Sequence, residues 1–350
     1  MATVQVDGRT IPRMTAWLTT NRSCNLRCNW CYAKMTNFDV KDTMTLSVAE
    51  QSIDFLRDLK LESVILIGGE PTVHPQFFRI VEKITKEGMK AYLVTNALRF
   101  SNMAFLKDAI GAGISAVTVS LKAVNAEDYK SFTGKDAFKR VRQAIRNLQN
   151  VGVPHVVNVT ACDSLVSNFD EVISFAKEMG IRMLSVDTGK PVVLEGNTHM
   201  DGMESPKRMA QFFMEIYPKL KQSGIRFSLK VAIPFCLFPK KFADMLIEDG
   251  NTMTGCQMVS GRGIIIDTQG ELVPCNHLCH LSLGGLGRDF SSAKEYVALR
   301  GRKEVIEFYD SVNSMPHKNC TNCNYWSVCG AGCKLYWLHY GPSDLISDFS

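Results

Sequence analysis

Three cysteines near the start of the chain have a spacing that suits an iron–sulfur cluster. Cys24, Cys28 and Cys31 stand at C-x3-C-x2-C spacing in the segment NRSCNLRCNWCY. Three thiolates can bind three irons of one [4Fe–4S] cubane, which leaves the fourth iron without a protein ligand. Such an iron can chelate another molecule, and this separates a catalytic cluster from one that only transfers electrons. The alternative is a zinc knuckle whose fourth ligand lies elsewhere in the chain.

A second group of cysteines lies in the C-terminal part of the chain. Its regularly spaced members are Cys256, Cys275, Cys320, Cys323, Cys329 and Cys333. Cys236 and Cys279 lie outside these spacings. Short, clustered spacings favour metal or cluster ligation over disulfides, and zinc is again the alternative metal.

The elements that must position these residues follow from hydrophobic periodicity. Strands are predicted at Thr15–Thr20, Val64–Ile67, Ala91–Thr95, Ala116–Leu121, His155–Ala161 and Met183–Asp187. Helices are predicted at Ser47–Lys60, Phe138–Gln149 and Phe169–Met179. This alternation implies parallel strands joined by crossover helices. Six units rather than eight predict an α/β fold, a partial (β/α)6 TIM-like barrel with its chemistry at the C-terminal strand ends.

Three regions are predicted along the chain. Residues 14–200 form the barrel, and residues 201–253 form a linker or transition region with one helix at Pro206–Leu220. Residues 254–350 form a small domain in which metal replaces a large hydrophobic core, because cysteines are dense and helical periodicity is weak there.

Composition excludes several classes of protein. The apolar fraction of 45% and the charged fraction of 21% are those of a soluble globular protein. The net charge of +5 is small for this length, so nucleic-acid binding is not expected. Residues 1–13 lack a secretion signal, and no apolar stretch reaches the roughly 20 residues of a membrane span. We therefore expect a cytoplasmic protein, whose thiols stay reduced.

Polar or glycine residues follow the predicted strands where a ligand would bind. They are Gly68, Gly69, Glu70, Pro71, Asn96, Ser120 and Lys122. The two glycines let the backbone approach a ligand closely, and Glu70 can accept a hydrogen bond from an ammonium group. The alternative is that strand ends are polar only because they leave the core.

The sequence resembles the radical S-adenosylmethionine (SAM) superfamily in three features. These are the three-cysteine loop, the aromatic residues Trp30 and Tyr32 beside its last cysteine, and the Gly-Gly-Glu-Pro run. The resemblance implies that the open iron binds the amino and carboxylate groups of SAM, with an aromatic residue near the adenine. It implies that the loop at 68–71 binds the methionyl amino group. It also implies that Asn96, Ser120 and Lys122 contact the ribose and carboxylate.

The C-terminal cysteines resemble the SPASM extension of radical SAM enzymes. The resemblance assigns Cys256, Cys275 and Cys333 to a first auxiliary [4Fe–4S] cluster and Cys320, Cys323 and Cys329 to a second. The final cysteine of the family pattern is missing, because no cysteine follows Cys333. Cys236 is therefore predicted to complete the first cluster, and Cys279 is a candidate for the second. Alternatively, the second cluster keeps an open iron or uses His339 or Asp344.

SPASM enzymes mostly modify peptides, so the resemblance implies an oxidoreductase or peptide maturase that crosslinks, oxidises or epimerises a ribosomally made peptide. An asparagine, Asn276, stands where sulfatase-maturating members carry an aspartate, which disfavours that activity. Only 23 residues precede Cys24, so we expect a separate leader-peptide recognition protein or direct binding. The expected electron donor is of the flavodoxin or ferredoxin type. The alternatives are a radical SAM enzyme acting on a sugar, cyclitol or other small metabolite, and a non-enzymatic, zinc-organised scaffold.

Cys162 belongs to neither cluster motif. It follows the fifth predicted strand, and we expect it to face the mouth of the active site. A thiol there can return a hydrogen atom to a substrate radical, as an epimerase requires. The alternative is a small buried core residue.

Overall fold

The computed structural model describes residues 3–6, 9–12, 14–35, 39–194 and 196–346. The strands are β1 Thr3–Val6, β2 Arg9–Pro12, β3 Thr15–Thr19, β4 Ser63–Ile67, β5 Lys90–Thr95, β6 Ile114–Leu121, β7 His155–Ala161, β8 Met183–Thr188, β9 Val192–Leu194, β10 Asn197–His199, β11 Arg226–Lys230, β12 Thr252–Met253, β13 Gly263–Ile266, β14 Glu271–Val273 and β15 Gly284–Gly285.

The α-helices are α1 Leu46–Asp58, α2 Phe77–Lys86, α3 Met103–Ala112, α4 Ala126–Thr133, α5 Phe138–Val151, α6 Asp163–Ser167, α7 Phe169–Glu178, α8 Pro206–Ser223, α9 Lys240–Glu248, α10 Gln257–Ser260, α11 Ala293–Arg300, α12 Lys303–Asn313, α13 Trp326–Cys329, α14 Tyr336–His339 and α15 Pro342–Leu345. Short 3-10 helices lie at Tyr32–Met35, Pro71–Val73, Leu98–Ser101, Phe235–Leu237, Asn276–Leu278 and Lys318–Cys320.

One large sheet organises the molecule. Its strand order is β12-β11-β8-β7-β6-β5-β4-β3-β13-β14-β15. Every pair from β12 to β13 is parallel, and the last two pairs are antiparallel. The six predicted strands are confirmed as the adjacent strands β3 to β8, and the four predicted helices are present as α1, α5, α7 and α8.

The two faces of the sheet have different roles. Alternate residues such as Leu18 and Leu66 are fully buried against the surrounding helices. Their neighbours Trp17, Ile65 and Ile67 point to the other face and line a central cavity. This alternation follows from the two-residue period of a strand, and it places the strand ends around one space.

The segment 201–253 is not a linker in the structure, which corrects our prediction. Strand β11 lies beside β8 in parallel register, with Lys230 opposite Asp187. Helix α8 buries Phe212, Phe213 and Ile216 against the core. The strand escaped detection because it is short and a basic residue stands at each end.

The C-terminal part shares the main core, so the expectation that metal replaces a large core there is also wrong. Strand β13 extends the sheet beside β3. Phe290 and Tyr296 pack on Phe55 of α1, with ring centroids 4.8 and 5.6 Å apart. Residues 347–350 of the predicted domain lie outside the described part. Within the described part of the chain, no helix has the length and apolar character to cross a membrane.

Candidate active site

Hydrogen bonds to the loop after β4 fix the position of the cysteine loop after β3. The Gly69 amide donates to the Asn21 carbonyl at 2.7 Å, and the Glu70 amide donates to the Ser23 carbonyl at 2.9 Å. The Asn21 side-chain amide donates to the carbonyls of Ser23 and Glu70 at 2.8 and 3.1 Å. The two loops therefore form one unit at the C-terminal ends of adjacent parallel strands.

Close packing of these loops explains the two glycines. A Cβ added to Gly68 would lie 2.3 Å from the Asn21 carbonyl oxygen. A Cβ added to Gly69 would lie 2.3 Å from the carbonyl oxygens of both Arg22 and Ser23. The glycines thus accommodate the backbone of the cysteine loop. Pro71 begins a short 3-10 helix and is buried, but it is not among the described residues that line the central cavity.

Replacing Gly69 by alanine is expected to lower the stability of the protein by about 1–3 kcal/mol, because the backbone atoms that the methyl group meets cannot move aside easily. Gly111 is the matched control, since a Cβ added there meets nothing within 4 Å in helix α3. Gly111→Ala is expected to stabilise by about 0.5–1 kcal/mol. Thermal unfolding of both variants tests this, and equal midpoints would contradict it.

Glu70 is a buried hydrogen-bonding centre below the cysteine loop. Its Oε1 accepts from the Thr72 amide and from the hydroxyls of Thr72 and Thr95, while its Oε2 accepts from the Asn96 amide at 2.7 Å. Burial raises the pKa of Glu70, and these hydrogen bonds act in the opposite direction. The carboxyl group therefore joins the ends of β4 and β5, and Oε2 retains a lone pair for one further donor.

The other polar residues predicted to bind SAM also line the central cavity. The Asn96 side-chain amide donates to Asn25 Oδ1 at 2.7 Å, and its Oδ1 accepts from the Leu98 amide. Lys122 Nζ donates to Ser120 Oγ at 2.7 Å, so these two residues act as a pair at the end of β6.

The two aromatic residues of the motif have different neighbours. Trp30 packs edge-on against Phe132, with ring centroids 5.7 Å apart. Tyr32 stacks on His277 at 4.9 Å, and its hydroxyl is buried without a hydrogen-bond partner among the described residues. Both line the cavity. The stack joins the first cysteine loop to the loop that follows Cys275.

Most of the residues predicted to bind the N-terminal cluster and SAM line one cavity of about 1830 Å³. The three N-terminal thiols line it together with the thiols of Cys256, Cys275 and Cys333. Among the described residues, no three Cys, His, Asp or Glu side chains converge as ligands of one metal ion. A [4Fe–4S] cluster carries its thiolate ligands on separate irons, so it does not require thiols that converge on one ion.

Burial makes one thiol of the N-terminal loop and two of the first auxiliary set harder to ionise. Burial raises the pKa of Cys24 to about 12, against the effect of the Leu26 amide. Burial likewise raises the pKa of Cys275 to about 12 and that of Cys333 to about 11. Iron binds thiolates, so loading the site must release the protons of these thiols.

The structure places Cys236 with the second auxiliary set, which corrects our assignment to the first. Cys236, Cys320, Cys323 and Cys329 line a separate cavity of about 30 Å³. The Phe235 amide also donates to Cys329 Sγ at 3.2 Å. This set therefore holds four thiols, whereas the first set holds three. The sequence distance between Cys236 and Cys320 hid the relation, because only the fold brings the segments together.

The other candidates for a fourth ligand of the second set lie elsewhere. Cys279 is buried and does not line that cavity, and burial raises its pKa while the nearby Arg22 lowers it. His339 Nδ1 lies 2.7 Å from Thr198 Oγ1, and Asp344 is exposed. Neither residue lines the cavity of the second set.

Cys162 does not face the active-site mouth, so that prediction is wrong. Its side chain is 2% exposed, packs within the hydrophobic core and is not among the residues that line the cavity. The residue starts helix α6, where the chain has already turned away from the end of β7.

Sequence reasoning missed a group of charged residues in the cavity wall. Asp187 is the second-last residue of β8, and Lys190 follows that strand. Lys230 is the last residue of β11, and all three residues line the cavity. His277 was also missed as a site residue. Burial lowers its pKa to about 4, and Lys190 acts in the same direction. The position of Asp187 at a predicted strand end was the available signal, whereas Lys230 lay in the presumed linker.

Comparison with known proteins identifies the fold and the family of the barrel. The family model of the Radical SAM superfamily matches residues 18–179. The AdoMet-dependent heme synthase of Methanosarcina barkeri is 26% identical over 333 residues, covering 92% of this chain and 91% of that protein.

Two solved structures have similar folds. Streptococcus suis SuiB bound to S-adenosylmethionine aligns with a TM-score of 0.70 and 16% identity, covering 96% of this chain and 76% of that one. The protein anSMEcpe, with bound AdoMet and Cp18Cys peptide, aligns with a TM-score of 0.71 and 19% identity, covering 97% and 93%. Residues 18–179 are therefore a radical SAM superfamily domain, in a chain with the α/β radical SAM fold and a C-terminal extension.

Proposed function

We propose that Cys24, Cys28 and Cys31 hold a [4Fe–4S] cluster, and that the enzyme modifies a ribosomally made peptide by crosslinking, oxidation or epimerisation. When bound, the cluster and SAM supply one-electron cleavage of a carbon–sulfur bond of SAM and abstraction of a substrate hydrogen atom. One observation carries the proposal: the three thiols, the predicted SAM residues other than Pro71, and the first auxiliary thiols line the same cavity.

The residues around this cavity supply what SAM requires. The Lys122 ammonium suits its carboxylate, the free lone pair of Glu70 Oε2 suits its amino group, and Asn96 and Ser120 suit its ribose. Trp30 and Tyr32 offer aromatic surface to the adenine. Seven further thiols hold auxiliary [4Fe–4S] clusters, with three protein ligands in the first set and four in the second.

Two observations support a peptide as the substrate. The cavity exceeds the roughly 300–1,000 Å³ of ordinary small-ligand pockets, so it has room for more than the cofactors. Val40 and Met253, both part of its lining, are 58% and 57% exposed and offer apolar surface to a chain. In addition, SuiB has been solved with its precursor peptide SuiA and anSMEcpe with the Cp18Cys peptide.

A small metabolite is the second candidate substrate. The likeness to the heme synthase extends over nearly the whole of both chains, which favours this reading. The zinc-organised scaffold has no such support, because members of the radical SAM superfamily are enzymes. The proposed electron donor is a flavodoxin or ferredoxin. A separate protein is proposed to recognise the leader peptide, and the proposed location is the cytoplasm.

Product analysis of the anaerobically reconstituted enzyme separates the two substrates. With SAM and dithionite, a peptide substrate is expected to raise 5′-deoxyadenosine release and to change its own mass or stereochemistry in proportion. The matched assay uses tetrapyrroles, sugars and cyclitols. Stimulation by one of these, with no peptide altered, would overturn the peptide proposal. No release under any condition would overturn the SAM chemistry itself.

A further inference from the structure

Three charged side chains form an ion-pair cluster inside the cavity. Asp187 Oδ1 lies 2.7 Å from Lys190 Nζ, and Asp187 Oδ2 lies 3.2 Å from Lys230 Nζ. The side chains are 21%, 26% and 36% exposed, respectively, and all three line the cavity. The carboxylate thus fixes two lysines from different segments side by side.

The ion-pair cluster lies in the wall of the proposed active-site cavity. Asp187 stands opposite Thr160 of β7 and opposite Lys230 of β11, on the same side of the sheet as the residues proposed for SAM. Lys190 lines the same cavity wall as Cys275 and Cys333. The ion-pair residues therefore share one cavity wall with the residues proposed for SAM and with the first auxiliary thiols, where a substrate would bind.

Each lysine keeps hydrogen-bonding capacity. Lys190 Nζ donates to Asp187 and to the Thr188 carbonyl at 3.0 Å, and Lys230 Nζ donates to Asp187 and to Asn158 Oδ1 at 3.4 Å. An ammonium group has three N–H donors, so one remains on each lysine. Two neighbouring cationic donors match the two oxygens of a carboxylate.

The charge balance of the cavity favours an anion. Glu70 and Asp187 are the acidic residues among the described residues of its wall, and each is already hydrogen-bonded. Two lysines against one aspartate leave one positive charge in the cluster, and a concave wall concentrates its field.

We propose that Lys190 and Lys230, held by Asp187, bind a carboxylate of the substrate, an inference that rests on the proposed function. In a peptide this group is an acidic side chain or the C-terminus, and in a metabolite it is a free carboxylate. Such a contact would hold the substrate in one orientation above SAM, which fixes the C–H bond that reacts.

Affinity selection on the reconstituted, SAM-loaded enzyme tests the proposal. The probes are a library of capped peptides that differ only in Glu or Gln at one position, and a panel of small carboxylates with their amides. We expect the carboxylate member of a pair to be retained about tenfold more, as charge-assisted hydrogen bonds predict. Lys230→Met is expected to remove this preference, Lys230→Arg to keep part of it, and the exposed control Lys241→Met to keep it fully.

The pattern of retained probes shows which carboxylate, if any, the two lysines bind. Preference among peptides supports a peptide carboxylate, and preference among small acids alone supports a metabolite carboxylate. Equal retention of acids and amides by the wild type, or a preference that survives in Lys230→Met, overturns the inference. Iron content and unfolding midpoint identify any misfolded variant, for which Lys190→Met provides the second test. Release of 5′-deoxyadenosine by the wild type without these probes tests the proposed function separately.

Discussion

Replacing Cys24, Cys28 and Cys31 together by alanine is expected to abolish the release of 5′-deoxyadenosine from SAM. The protein should also lose about four irons per chain, the content of one cubane. The reason is that these thiols lie on one loop at one wall of the cavity, held by the Gly-Gly-Glu-Pro loop. Anaerobic iron and sulfide analysis, together with chromatography of the reaction mixture, measures both losses.

The matched control is Cys162→Ala, which also removes a thiol but does so in the hydrophobic core. We expect it to retain the iron and the SAM cleavage of the wild type. If the triple variant cleaved SAM at the wild-type rate, the assignment of these thiols would be wrong. If Cys162→Ala abolished product formation while SAM cleavage continued, the hydrogen-donor role would regain support.

Replacing Cys236 by serine is expected to destabilise the second auxiliary cluster, with a loss of up to about four irons per chain. Cys236 lines the same small cavity as Cys320, Cys323 and Cys329, so its loss leaves a set of three thiols. Mössbauer spectroscopy of the iron-57-loaded protein measures this loss without an activity assay.

Cys279→Ser is the control for that experiment, because Cys279 also lies outside the regularly spaced cysteines but does not line either cavity. We expect its iron content to equal that of the wild type. Iron retained in Cys236→Ser and lost in Cys279→Ser would contradict the role of Cys236 and favour Cys279 as the ligand of the second cluster.

Local patterns predicted the barrel well because each strand and helix carries its own periodicity. His155–Ala161 coincides with β7, and the predicted helix Ser47–Lys60 corresponds to α1 at Leu46–Asp58. Strand β11 was missed because its five residues begin with Arg226 and end with Lys230. Charged residues at the end of a strand that faces a cavity give a sequence pattern typical of a polar loop, because the neighbouring strand is not known from the sequence.

Site residues were predictable where one motif held them and less so where the fold brought them together. The three N-terminal cysteines and Glu70 needed only spacing and strand ends. The grouping of Cys236 with Cys329 depends on a cavity shared by residues that are 93 positions apart in the chain, which no local pattern encodes. Cys162 follows a strand as predicted, yet the turn into α6 directs its side chain into the core.

Electron paramagnetic resonance of the dithionite-reduced protein, recorded before and after addition of SAM, is the most direct test of the central claim. Because SAM would bind an iron that the three-cysteine loop leaves open, we predict altered g-values in the wild type on SAM addition. The triple alanine variant should show no SAM-dependent change. A wild-type spectrum that SAM leaves unaltered, or a SAM-dependent change that persists in the triple variant, would contradict the claim.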